Sequence, residues 1–158
     1  MNTLPYQRIL TSINLLIENS KEMQDNKYVQ EDMSRNSPLQ FAKEYCTVKV
    51  CTARRTGHTT AINEFLMNKC HNCHEKWATV CFNQKAIEIN YKSLLSNKNC
   101  YINFMTQNTF DNNLRGQELD GIIVDCASFM SQKKMDQLYQ TGMACMINKK
   151  YKLFIFME

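Results

Sequence analysis

Glycine and proline are scarce in this chain, four and two in 158 residues. That excludes collagen-like and low-complexity architectures, which depend on one or both. Charge of one sign is scarce as well. A formal net charge of +4 permits contact with phosphates without requiring a nucleic acid. No apolar run approaches the roughly 18 residues that cross a bilayer, so no membrane partner is expected. The opening MNTLPYQRIL lacks the basic start and apolar stretch of a secretory signal. What is there is ordinary globular material: 44% hydrophobic and 22% charged residues, in a length that suits one domain with a sizeable core.

Eight cysteines would suggest a disulfide framework in a small secreted chain. Several of these lie inside apolar, strand-like runs, where a reduced thiol behaves as a small hydrophobe. The sequence therefore reads as an intracellular, reduced protein.

Residues 3–20 place Leu4, Ile9, Leu10, Ile13, Leu16 and Ile17 at helical spacing, which predicts one amphipathic N-terminal helix over 1–20. Residues 21–38 are polar and aperiodic and read as a linker. Pro38 opens a short helix, LQFAKEYC. Strand-like and helix-like segments then alternate through residues 39–158. Strands are expected at 47–53, 78–83, 100–105, 121–125 and 151–157, and helices at about 59–70, 84–96 and 131–143. This alternation implies an α/β fold with a mainly parallel sheet of about five strands, covered on both faces. The nearly unbroken apolar runs GIIVD and KLFIF suit strands buried on both sides.

Between the first strand and the first following helix lies Thr52-Ala53-Arg54-Arg55-Thr56-Gly57-His58-Thr59-Thr60. A turn there can direct backbone N–H groups and a helix N-terminus at an anion. The phosphate-loop pattern G-x-x-x-x-G-K-[ST] uses Gly at both ends, Lys for the terminal phosphates and a hydroxyl for Mg²⁺. Here Thr52 stands at the first Gly, Gly57 matches the second, His58 replaces Lys, and Thr59 supplies the hydroxyl. Farther on, Leu114–Met130 carries Arg115, Gly116, Asp120, Asp125, Cys126 and Ala127, with Asp125 closing a buried strand.

Together these segments resemble the ATPase domain of viral large terminases and related helicase-like motors. The resemblance covers residues 39–158 and implies a three-layer, RecA-like P-loop fold. It implies that Arg54, Arg55, Thr56, Gly57, His58, Thr59 and Thr60 surround the nucleotide phosphates, and that Gln40 takes the place of the adenine-reading glutamine. It further implies that Thr59 and Asp125 hold Mg²⁺, which requires the strand at 47–53 to lie beside the strand at 121–125. Cys126 stands where the family has a catalytic Glu, and a thiol is shorter than Glu and mostly protonated near neutral pH. An imidazole at position 58 also lacks the fixed charge of an ammonium.

The expected function is thus a degenerate nucleotide-binding domain: a pseudo-ATPase serving as a binding or assembly subunit of a nucleic-acid machine of viral type. The alternative is an active, Mg²⁺-dependent ATPase domain of a DNA-packaging or helicase-type motor. ATP with Mg²⁺, nucleic acid and further protein subunits are the expected partners, in the cytoplasm or nucleus of a host cell.

The run Cys70-His71-Asn72-Cys73-His74 has spacings that metal sites use. Four potential ligands this close together converge poorly on one ion, and no second C-x-x-C follows. It is read as a polar helix end, with zinc not expected. Cys81 and Cys100 are read as strand residues of the core.

Overall fold

The computed structural model describes residues 4–52, 57–96, 101–125 and 127–158. Arg54, Arg55, Thr56 and Cys126, together with the strand-end assignments at Ala53 and Cys100, lie outside the described residues. Five strands form one parallel sheet among the described residues: β1 (Thr47–Val50), β2 (Trp77–Cys81), β3 (Ile102–Thr106), β4 (Gly121–Val124) and β5 (Phe154–Met157). Their order is β1-β5-β4-β2-β3, with every pairing parallel. The α/β class and central parallel sheet expected from the alternating pattern are present, and each strand is shorter than its apolar run suggested.

Around the sheet lie α1 (Pro5–Asp25), α2 (Lys27–Arg35), α3 (Pro38–Tyr45), α4 (His58–Cys73), α5 (Gln84–Asn90), α6 (Lys92–Leu95), α7 (Phe110–Leu114) and α8 (Gln132–Cys145). From β1 the chain crosses past two strand positions to β2 and continues outward to β3. It then reverses through β4 to β5 at the centre. Parallel crossovers are right-handed almost without exception, so a path that reverses must use both faces of the sheet. The two cores follow that rule. On one face α1, α4, α5 and α6 pack against Val48, Val50, Trp77, Ile123, Ile155 and Met157. On the other, α2, α3, α7 and α8 pack against Ala78, Val80, Ile122, Val124, Phe154 and Phe156. Adjacent residues of β4 and β5 alternate between these cores, the period-two pattern of a strand buried on both sides.

Residues 21–38 are a correction to the sequence reading. The expected linker is helical: α1 continues to Asp25, Asn26 caps α2 by accepting from the Tyr28 N–H, and Ser37 caps α3 by accepting from the Gln40 N–H. Apolar periodicity is absent because α2 buries only Val29. Polar groups hold the junction instead. The Gln24 amide donates to the Lys152 carbonyl and accepts from the Lys152 N–H, both at 3.0 Å, and the Ser20 hydroxyl donates to the Tyr45 carbonyl at 2.7 Å. The N-terminal helix therefore belongs to the same core as the sheet, through Ile9, Ile13 and Ile17.

A second correction concerns strand order. Bringing Thr59 and Asp125 together suggested that β1 would neighbour β4, but β5 lies between them. What meets Asp125 at the end of β4 is His58, the first residue of α4, at 3.3 Å.

Candidate functional site

The carboxyl ends of the strands are where ligands bind in open parallel sheets, at the point where successive connections leave to opposite faces. Here β1 feeds α4 on one face, and β4 feeds α8 on the other through a 3₁₀ turn at Ala127–Phe129. Gly57, His58, Thr59 and Asp125 all belong to this edge.

Gly57 is the residue before α4, with φ +86°. That left-handed conformation suits glycine, and a Cβ there would also come within 3.1 Å of the Tyr6 Cβ. Helix α1, which the motif left unexplained, thus packs against the turn. Gly57 offers no side chain to cap the helix, and the first-turn N–H groups of a helix are ones that can receive an anion. The helix is fixed beneath by Ala61, Ile62, Phe65 and Leu66, which are buried in the core.

Asp125 is one of four buried polar or charged residues among the described ones, 3% exposed. Its backbone N–H extends the β4 ladder to the Val80 carbonyl at 2.9 Å. One carboxylate oxygen accepts from the Tyr91 hydroxyl at 2.7 Å, and the other lies 3.3 Å from His58 Nε2. A buried carboxylate without such partners would cost several kcal/mol. Tyr91 is itself fully buried, stacked obliquely on Phe104, and sits at the junction of α5 and α6. The Asn63 amide of α4 donates to both the Thr59 and Asn90 carbonyls, tying the helix that carries His58 to the turn that carries Tyr91. No motif pointed to Tyr91. Its one sequence signal is an aromatic residue with a hydroxyl at a helix end, which does not distinguish it from any packing residue.

The hydrogen bond from Asp125 raises the His58 pKa above its usual 6.5, opposed by burial and helped by the carboxylate's charge. The folded state therefore holds this proton more tightly than the unfolded state. The pair's contribution is complete below about pH 6.5 and is lost as pH rises through the raised value. In urea titrations, the stability difference between wild type and His58→Gln is expected to shrink from about pH 6 to about pH 9. A difference independent of pH would mean that the imidazole acts by packing alone.

Gln40 is not brought to this cluster by any observed contact. It is exposed on α3, and its amide donates to Glu44 at 2.6 Å. The concavity lined by Asp125, Phe82, Gln107 and Met130 measures about 10 Å³, room for no more than one water. On its other side Asp125 meets His58, whose imidazole keeps 29% of its side-chain surface exposed.

Among the described residues no three His, Cys, Asp or Glu side chains are grouped to hold a metal ion. Cys70 is buried near the end of α4, where its sulfur accepts from the Tyr101 N–H, while Cys73 is exposed and His74 closes the helix at φ 54°. Cys81 is buried in the core as expected. No helix among the described residues is long and apolar enough to cross a membrane.

No family model, curated protein or solved structure matches this chain.

Proposed function

We propose that the chain is a degenerate P-loop nucleotide-binding domain that binds a nucleoside triphosphate without hydrolysing it at a useful rate. In this reading it works as a binding or assembly subunit of a nucleic-acid machine inside the cell. The observation that carries the proposal is the His58–Asp125 contact. His58 stands where a P-loop Lys would meet the terminal phosphates, and Asp125 stands where a metal-orienting carboxylate would be.

The donor types suit Mg²⁺: a Thr59 hydroxyl and an Asp125 carboxylate are hard oxygen ligands. Both Asp125 oxygens, however, are already engaged, one by Tyr91 and one by His58. A divalent ion at Asp125 would compete with the imidazole for the carboxylate's charge. When bound, Mg²⁺ would neutralise phosphate charge. Without it, an imidazolium directed by Asp125 and the N-terminal amides of α4 can still attract a phosphate. Thr59 and Thr60, in the first turn, can donate hydroxyl hydrogen bonds to the same group. The reading thus couples a retained anion site to a compromised metal site, which is what a pseudo-ATPase needs.

Cys126 in place of Glu weakens catalysis further, because the attacking water loses the base that would orient it and take its proton. The resemblance to terminase ATPase domains extends the reading to a viral machine, working in the cytoplasm or nucleus of its host. Four of the six free cysteines among the described residues are buried, and burial pushes the Cys46 thiol up to about 12. Such inert thiols suit a reducing, intracellular setting.

The test is ATP turnover by the unmodified protein with Mg²⁺, beside binding of a non-hydrolysable analogue. Binding without turnover supports the proposal. Brisk Mg²⁺-dependent turnover would overturn it in favour of an active packaging or helicase-type ATPase.

A further inference from the structure

Phe82 and Phe129 form an exposed aromatic pair at the carboxyl edge of the sheet. Phe82 directly follows β2 and Phe129 ends the 3₁₀ turn after β4. The rings touch, with centroids 5.4 Å apart and planes inclined by 56°, yet they remain 44% and 61% exposed. Neither ring belongs to either hydrophobic core. Single exposed hydrophobes are ordinary, whereas a contiguous aromatic patch usually meets a partner.

The chemistry around the pair selects that partner. Lys85 lies in the first turn of α5, three residues past Phe82, and Lys133 and Lys134 lie in the first turn of α8, just past Phe129. Lys85 and Lys133 are exposed, and Lys134 donates to the Asn108 side chain, beyond the end of β3. Exposed amide side chains complete the rim at Asn83, Gln84 and Gln132. The neighbouring carboxylates are already engaged: Glu88 accepts from Gln84, and Asp136 is paired with Lys43 at 2.7 Å and accepts from Gln132. Aromatic faces flanked by cations and amides match a single-stranded nucleic acid, whose bases stack on rings while its phosphates attract lysines. A protein partner with an apolar face would not use the lysines, and a paired duplex would hide its base faces from the rings.

We propose that Phe82 and Phe129 are a stacking platform for the bases of a single-stranded nucleic acid, with Lys85 and Lys133 contacting its backbone. This rests on the nucleic-acid part of the function above but not on triphosphate binding. Stacking faces every base alike, so the site should be tolerant of sequence.

The experiment is fluorescence anisotropy with a labelled oligothymidylate of about 15 nucleotides, in the absence of nucleotide and Mg²⁺. Phe82→Ala and Phe129→Ala are each expected to weaken binding roughly ten-fold. Both positions are exposed, so circular dichroism should be unchanged, and Phe82→Trp should retain binding. Lys85→Gln with Lys133→Gln should weaken binding and flatten its salt dependence. A blunt duplex of the same length should bind more weakly and be indifferent to the aromatic changes. Oligothymidylate affinity unchanged by both alanine substitutions overturns the proposal. So does a concentration-dependent dimer, seen by sedimentation, that Phe129→Ala abolishes, since the patch would then be a contact between copies. Triphosphate binding measured on Phe129→Ala keeps the two readings separate, because it should match wild type whether or not the strand binds.

Discussion

The double change His58→Lys with Cys126→Glu is expected to raise Mg²⁺-dependent ATP hydrolysis by about 10²–10⁴-fold, the range a positioned general base supplies. The two substitutions answer two different deficits. At position 58 an ammonium restores a fixed charge for the terminal phosphates, and removing the imidazole frees the Asp125 oxygen that Nε2 now occupies at 3.3 Å. At position 126 a carboxylate supplies what a largely protonated thiol cannot, a base for the attacking water. Each change alone should achieve much less, since charge without a base or a base without metal leaves one half of the reaction unassisted. Phosphate release with and without Mg²⁺ measures the effect. A folded, nucleotide-binding double variant with no gain would show that the edge has diverged beyond these two residues.

Gly121→Ala is expected to destabilise the fold severely, although it adds one methyl group. A Cβ at this position would lie 2.3–2.8 Å from three carbons of the Trp77 ring. Contacts that short require movement, and Trp77 cannot readily move. It is 1% exposed, meets the Phe65 ring edge-on at 5.0 Å, and donates its indole N–H to Glu75 at 2.8 Å. Overpacking of a well-filled core costs about 1–3 kcal/mol or more. For a domain of this size that corresponds to a fall in Tm of roughly 2–12 °C. Because β4 ends at the candidate site, nucleotide binding should weaken with it. Thermal unfolding followed by circular dichroism tests this, and an unchanged Tm would contradict the described packing of β4 against β2.

Legibility in the sequence tracked how local each interaction is. GIIVD and KLFIF announced two buried strands because their apolar character is continuous, and the βα alternation was enough for a parallel sheet. Strand order was not legible. That β5 inserts between β1 and β4 depends on pairings such as Thr47 with Phe154, far apart in the chain, which no local pattern encodes. Helix α2 was hidden for a different reason. It buries one residue, Val29, and is fixed by side-chain caps and by the Gln24–Lys152 pairing rather than by an apolar stripe. At the site, Gly57, His58, Thr59 and Asp125 were legible as a motif, while the pairing of His58 with Asp125 was not. The motif assigned the two residues to different partners, one to phosphate and the other to metal, and replacing Lys by His lets them meet each other. Tyr91 was invisible for want of any motif, although its hydroxyl donates to the Asp125 carboxylate at 2.7 Å.

Isothermal calorimetry of a non-hydrolysable ATP analogue, with and without Mg²⁺, tests the central claim most directly. A retained anion site beside an Asp125 already engaged by His58 and Tyr91 predicts that the analogue binds, and that its affinity changes by no more than about two-fold when Mg²⁺ is added, an effect below about 0.5 kcal/mol. No binding under either condition, or binding that appears only with Mg²⁺, would contradict the account.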